Sequence, residues 1–205
     1  LCDLAKSDIW PPERWRVALQ AWADDGLVSR SWNYVAPVVQ TMPDHFLKEI
    51  IHSVAWWMET ASKVINHHKD ILIGLCRRIL ALPLEAGTDT NIVSNGIKSY
   101  SPVDAAINHP IGHITQILVN QWFKQDPNDN EQLPDYLKPI FTALCNPDIE
   151  RFIHGRVLSS SQLIALFRVD RPWTEQYLLP FFNWDNPFEA KSVWEGFLWS
   201  PRLYQ

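Results

Sequence analysis

The sequence predicts an all-α protein, built as stacked antiparallel helical hairpins of the HEAT or TPR general type or as an irregular helical bundle, with about nine to eleven helices. Three observations predict it. Apolar residues recur at spacings of three and four, and no stretch shows a convincing period-two alternation of the kind a half-buried strand requires. Segments of helical length open at proline or at Ser, Asp or Asn, which are helix-start signals. Eleven tryptophans in 205 residues supply bulk of the kind that fills gaps between helices and also favours interfaces, and composition does not separate the two uses.

The elements follow in order. Pro11-Pro12 opens a helix from Glu13 to about Asp24, with Trp15, Ala18, Leu19 and Trp22 on its apolar face and Gly26 as its stop. Ser31 to Gln40 reads as a second helix, kinked or delayed by Pro37. A third starts near Pro43 and runs to about Ile65, on a face of Leu47, Ile50, Ile51, Val54, Ala55 and Met58. Asn66-His67-His68 is a connector, and Ile71 to Leu82 a mostly buried fourth helix.

Residues 84–100 carry Gly87, Asn95, Gly96 and several Ser and Thr with little periodicity, and read as a long exposed loop. This divides the chain into a subdomain over 1–83, the loop over 84–100, and a subdomain over 101–205.

Ser101-Pro102-Val103-Asp104 begins a short helix that Pro110 interrupts and that resumes from Ile111 to Lys124. Pro134 to Leu144 follows, then a helix capped by Asn146-Pro147 that runs to about Leu158, then Gln162 to Val169, then Arg171 to about Phe182. The last helix has the clearest signal. Asn186 is a cap, Pro187 takes the first helical position, and Glu189 can bond back to the cap. Ala190, Val193, Trp194, Phe197 and Leu198 are expected to be its buried face. Gly196 interrupts that helix, which a close helix–helix contact would explain. The resemblance of Met42-Pro43-Asp44-His45-Phe46-Leu47-Lys48 to Leu133-Pro134-Asp135-Tyr136-Leu137-Lys138 adds a weak internal echo in favour of repeats.

Charge and composition narrow the function. A net charge of −5 with scattered Lys and Arg argues against a nucleic-acid binder. The longest apolar candidate, Ile71 to Leu82, is broken by Arg77 and Arg78 and falls short of the ~18 residues that a membrane span needs. Cys2, Cys76 and Cys145 are too far apart for a metal motif, and their odd number suits a reducing cytoplasm. The chain begins at Leu1 and not Met, so we expect a segment of a longer protein.

No residue set spells out a reaction. His109 and His113 have the i, i+4 spacing of zinc ligands, but Pro110 lies between them and places His109 at a cap. His67-His68-Lys69-Asp70 lacks evident partners for a metal phosphohydrolase, and a buried thiol such as Cys76 is usually inert. Glycine-rich nucleotide loops are absent from the sequence. No catalytic, cofactor-binding or metal-ligating residue is assigned. The alternative to a binding module is a stand-alone metal-dependent hydrolase using His109, His113 and His154.

From Pro172 to Trp199, nine aromatics accompany four acidic residues and one lysine. One helix face cannot bury them all. Trp184, Phe188 and Trp199 fall outside the expected buried face and are the candidate partner-binding residues. The same end carries a family resemblance. His109-Pro110-Ile111-Gly112, Trp122-Phe123, Leu163 to Phe167 and above all Trp184 through Trp199 resemble the helical domain of unknown function found C-terminal to SIR2-type domains in large bacterial proteins, over about residues 105–203. The resemblance implies a non-catalytic sensor or scaffold of an NAD-depleting antiphage defence factor. It would be cytoplasmic and cofactor-free. It would contact the rest of its own chain, a protein partner or further copies, and neither nucleic acid nor membrane.

Overall fold

Helices make up all regular structure in the described residues except one β-hairpin. The computed structural model describes residues 1–65, 69–87, 91–94 and 97–199. The expected connector at Asn66-His67-His68, the Asn95-Gly96 pair and the stop after Trp199 lie outside those residues. The chain divides into two compact units, Leu1–Leu84 and Glu85–Gln205.

The first unit holds α1 (Cys2–Lys6), α2 (Pro12–Trp22), α3 (Asp25–Thr41), α4 (Asp44–Glu49), α5 (Ile51–Val64) and α6 (Lys69–Ala81). Leu47, Ile50, Ile51, Val54, Ala55 and Met58 are all buried, as their spacing predicts, and Trp57 joins them while Trp56 faces out. Trp32 of α3 stacks on Trp57 of α5 with ring centroids 5.0 Å apart, and the Trp57 indole donates to Ser31 Oγ at 3.1 Å. Buried aromatic pairs of this kind add stabilisation beyond their area.

Two boundaries differ from expectation. Gly26 does not end the first helix: α2 stops at Trp22, and the Asp24 side chain accepts from the Gly26 N–H at 3.0 Å to start α3. The long third helix is broken at Ile50, which separates α4 from α5. Arg78 of α6 donates to the carbonyls of Val39 and Gln40 at 3.0 and 2.9 Å, and also to the Met42 carbonyl. This arginine therefore satisfies the open end of α3, which is a structural use of the only adjacent basic pair.

The second unit begins with a strap at Glu85–Gly87 and a hairpin of β1 (Asn91–Ser94) and β2 (Ile97–Tyr100), antiparallel, pairing Asn91 with Tyr100 and Ser94 with Ile97. The expectation of an unstructured loop without strands is corrected here. Then come α7 (Pro102–Asn108), α8 (Pro110–Phe123), α9 (Lys138–Leu144), α10 (Ile153–Ser160), α11 (Leu163–Val169), α12 (Arg171–Trp173) and α13 (Pro187–Trp199). Asn146 opens an Asx turn and not a helix: its Oδ1 accepts from the Asp148 N–H at 2.9 Å, and α10 starts later, after a 3₁₀ turn. Leu133 to Leu137 is a turn leading into α9, so only the Met42 half of the sequence echo opens a helix. Residues 174–182 wind as a π turn followed by a 3₁₀ turn, with Pro180 in the latter.

The centre of this unit is α10. All eight of its residues are buried, although only Ile153, Val157 and Leu158 are large and apolar. It packs against α7, α8 and α13. Glycines permit these approaches. A Cβ on Gly155 would lie 2.7 Å from Leu144 Cδ2, and one on Gly196 would lie 2.2 Å from the Val157 carbonyl oxygen. Packing around one central helix is the bundle form of the predicted all-α class.

Candidate functional site

His109 and His154, singled out for chemistry, both bond the backbone. His109 is the N-cap of α8: its Nδ1 accepts from the Ile111 N–H at 3.1 Å. With Nδ1 an acceptor, Nε2 carries the proton and donates to the Glu85 carbonyl at 3.0 Å. His154 of α10 stacks on that ring, with centroids 4.1 Å apart and planes at 21°, and its Nε2 hydrogen-bonds the Ala86 carbonyl. Gly87, at φ 63°, lies over the pair, and a Cβ there would sit 3.4 Å from His109 Cδ2. Burial holds the His154 imidazole below its ordinary pKa, the Ala86 carbonyl opposes that, and the Arg156 charge reinforces it. The two rings thus fasten the strap at Glu85–Gly87. His113 lies one turn along α8 and does not join them in a metal site. Among the described residues no group of three His, Cys, Asp or Glu could hold a metal ion.

Neither buried cysteine suits a nucleophile. Burial pushes the Cys145 thiol up to about 12 and the Cys76 thiol higher still, so neither supplies a thiolate near neutral pH.

Two buried charged groups were not legible as such in the sequence. Arg156, 1% exposed, pairs bidentately with Glu189 of α13 at 2.7 and 2.9 Å. It also donates to the carbonyls of Leu144 and Asn146, and its guanidinium lies 4.7 Å from the Phe181 ring centroid. Glu189 therefore does not bond back to the cap, as its position three residues after Asn186 suggests; Asn186 Oδ1 does accept from the Glu189 N–H at 3.3 Å. Asp170 caps α12, accepts from the Leu133 N–H at 3.1 Å and meets Lys138 Nζ at 2.8 Å. Burial pushes its carboxyl up, but Lys138 and the two backbone N–H groups outweigh that and hold it below the usual range. Both sets tie segments together.

The surface of α13 is arranged otherwise than its apolar periodicity implies. Glu189, Ala190, Ser192, Val193 and Gly196 are buried against the bundle. Trp194 and Phe197 are half-buried and pack edge-to-face with Phe182, at centroid distances of 5.0 to 6.3 Å. Leu198 is not buried, contrary to expectation: it is 60% exposed, beside Trp184 at 60%, Phe188 at 50% and Trp199 at 56%. The reason is steric. Only small side chains fit where Gly196 meets the Val157 backbone, so the large ones turn outward.

The tryptophans divide accordingly. Trp15, Trp32, Trp57, Trp122 and Trp173 are buried, whereas Trp56, Trp184 and Trp199 are exposed. Each unit also carries a surface cleft, one of about 310 Å³ lined by Cys2, Trp22, Leu27, Arg30 and Tyr34, and one of about 290 Å³ lined by Trp122, Gln125, Glu131, Gln132 and Asp135. No helix among the described residues is long and apolar enough to cross a membrane.

Comparison with known proteins returns nothing: no protein-family model, curated protein or solved structure matches this chain.

Proposed function

We propose that this chain is a non-catalytic helical scaffold or sensor segment of a larger bacterial protein, acting by protein–protein contact through the outward face at Trp184, Phe188, Leu198 and Trp199. The observation that carries the reading is the exposure of these four large apolar side chains, each at least half open to solvent. Aromatic anchors of this kind dominate contact energies once a partner excludes water from them. The commitment of both His109 ring nitrogens to backbone groups favours the contact module over a hydrolase built on His109, His113 and His154.

The setting we propose, from the resemblance of residues 105–203, is a SIR2-type NAD-depleting defence factor, with this chain in the sensing or assembling role. The test is made in cells expressing the full reading frame. Replacing Trp184, Phe188 and Trp199 together by alanine is expected to abolish phage protection and infection-induced NAD loss, with the fold intact by circular dichroism. Full protection by the triple variant, or a complete short gene with no second domain, overturns the proposal.

A further inference from the structure

The outward face of α13 has an internal symmetry. Phe188, Lys191, Glu195 and Leu198 recur at spacings of three, four and three, with Trp199 beside Leu198. That is the a–d–a–d seam of a heptad repeat. At roughly 100° per residue these five side chains fall within one arc of about 100°, on the side away from Glu189, Ala190, Ser192, Val193 and Gly196. Phe188, Leu198 and Trp199 are each at least half exposed. Lys191 and Glu195 lie between them, 60% and 37% exposed, as an i, i+4 pair with N···O 3.7 Å.

Reversing this stripe about the level of Val193 exchanges Phe188 with Leu198 and Lys191 with Glu195. An antiparallel copy of the same helix therefore offers apolar side chains to apolar ones and an ammonium to a carboxylate at every layer. An unrelated partner would need that order supplied by a second sequence; a second copy of this chain already has it. The two central charged layers also disfavour a parallel or shifted register, because Lys would then face Lys or an apolar side chain.

We propose that α13 pairs antiparallel with α13 of a second copy about a two-fold axis at the level of Val193, with Phe188 against Leu198 and Trp199, and Lys191 against Glu195. The interface is isologous: each contact occurs twice. This rests on the reading of α13 as a contact surface and names its partner. The seam spans only about 17 Å of helix, so the dimer is weak and concentration-dependent.

Charge exchange tests this on the 205-residue chain, by sedimentation velocity over a concentration series. The parent is expected to pass from monomer to dimer. Lys191→Glu and Glu195→Lys each place like charges together twice, and each should weaken association at least about tenfold. A one-to-one mixture of these two variants restores opposite charges at both layers and should recover association, as should the double exchange within one chain. Melting temperatures close to the parent's show that the single variants still fold. A chain that stays monomeric throughout, or a dimer indifferent to both charge reversals, overturns the proposal. If the chain stays monomeric while phage protection by the full reading frame still depends on Trp184, Phe188 and Trp199, the contact-module reading survives and self-association fails.

Discussion

Replacing Gly196 by alanine puts a methyl group 2.2 Å from the Val157 carbonyl oxygen, 2.9 Å from its carbonyl carbon and 3.2 Å from its Cα. Ordinary contact begins near 3.4 Å, so α13 must retreat from α10 by about 3.4 − 2.2 = 1.2 Å. The obstacle is backbone, which no rotamer change relieves. Two terms then compete. Alanine gains about 1 kcal/mol over glycine in helix propensity, while overpacking costs about 1–3 kcal/mol in an adaptable core and more where backbone is struck. The retreat also opens the packing of Ala190 and Val193 and strains the Arg156–Glu189 pair. We expect Gly196→Ala to destabilise by about 1–3 kcal/mol net. Gly74 of α6 is the control, since a Cβ there meets nothing within 4 Å. Gly74→Ala should stabilise by about 0.5–1 kcal/mol. Urea unfolding followed by circular dichroism measures both. A Gly196→Ala protein as stable as the parent refutes the close approach of the two helices.

Further outcomes follow from the buried polar groups and from the two classes of tryptophan. Glu189→Ala leaves the Arg156 guanidinium buried without its carboxylate and should cost about 3–5 kcal/mol in urea unfolding, while pairing Glu189→Leu with Arg156→Met should recover much of it. His154 has a folded-state pKa below its ordinary 6.5, so the unfolded chain takes up that proton first. Its stabilising contribution is therefore complete above pH 6.5 and is lost as pH falls below that value toward the folded pKa. The urea midpoint measured at about pH 7 and again near pH 5 should fall less in His154→Gln than in the parent; equal falls count against the buried neutral imidazole. Trp184→Ala and Trp199→Ala should each change stability by less than about 0.5 kcal/mol, whereas Trp32→Ala should cost about 3–5 kcal/mol, by thermal unfolding.

The sequence was most informative where one residue had one job. The buried face of α4 and α5, the split of α7 from α8 at Pro110, and the caps at His109 and Asn186 all follow from spacing or local chemistry. It was least informative where tertiary contact decided the outcome. In α10, Arg156 and His154 resemble surface residues, and nothing local shows that a glutamate 33 positions later and a distant strap will bond them. On α13 the apolar pattern finds Ala190 and Val193, but the contact with α10 also takes Ser192 and Gly196, because it selects for small size and not for hydrophobicity alone. Leu198 belongs to the interior by that pattern yet is exposed, together with Trp184, Phe188 and Trp199, which the pattern leaves outside. The strands β1 and β2 are hidden because four residues each offer too few positions to establish a period.

The Arg156–Glu189 pair has a consequence for recognition. The guanidinium is shared among a carboxylate on α13 and two carbonyls at the end of α9. Undocking α13 would strand a charge in the interior, so the helix cannot come loose at low cost to meet a partner. Its outward side chains are presented on a preorganised frame, and little backbone entropy remains to be lost on contact. Recognition on this face should resemble the fitting of two finished surfaces more than the folding of one onto the other. Weak association there would come from the small area available and not from an ordering penalty.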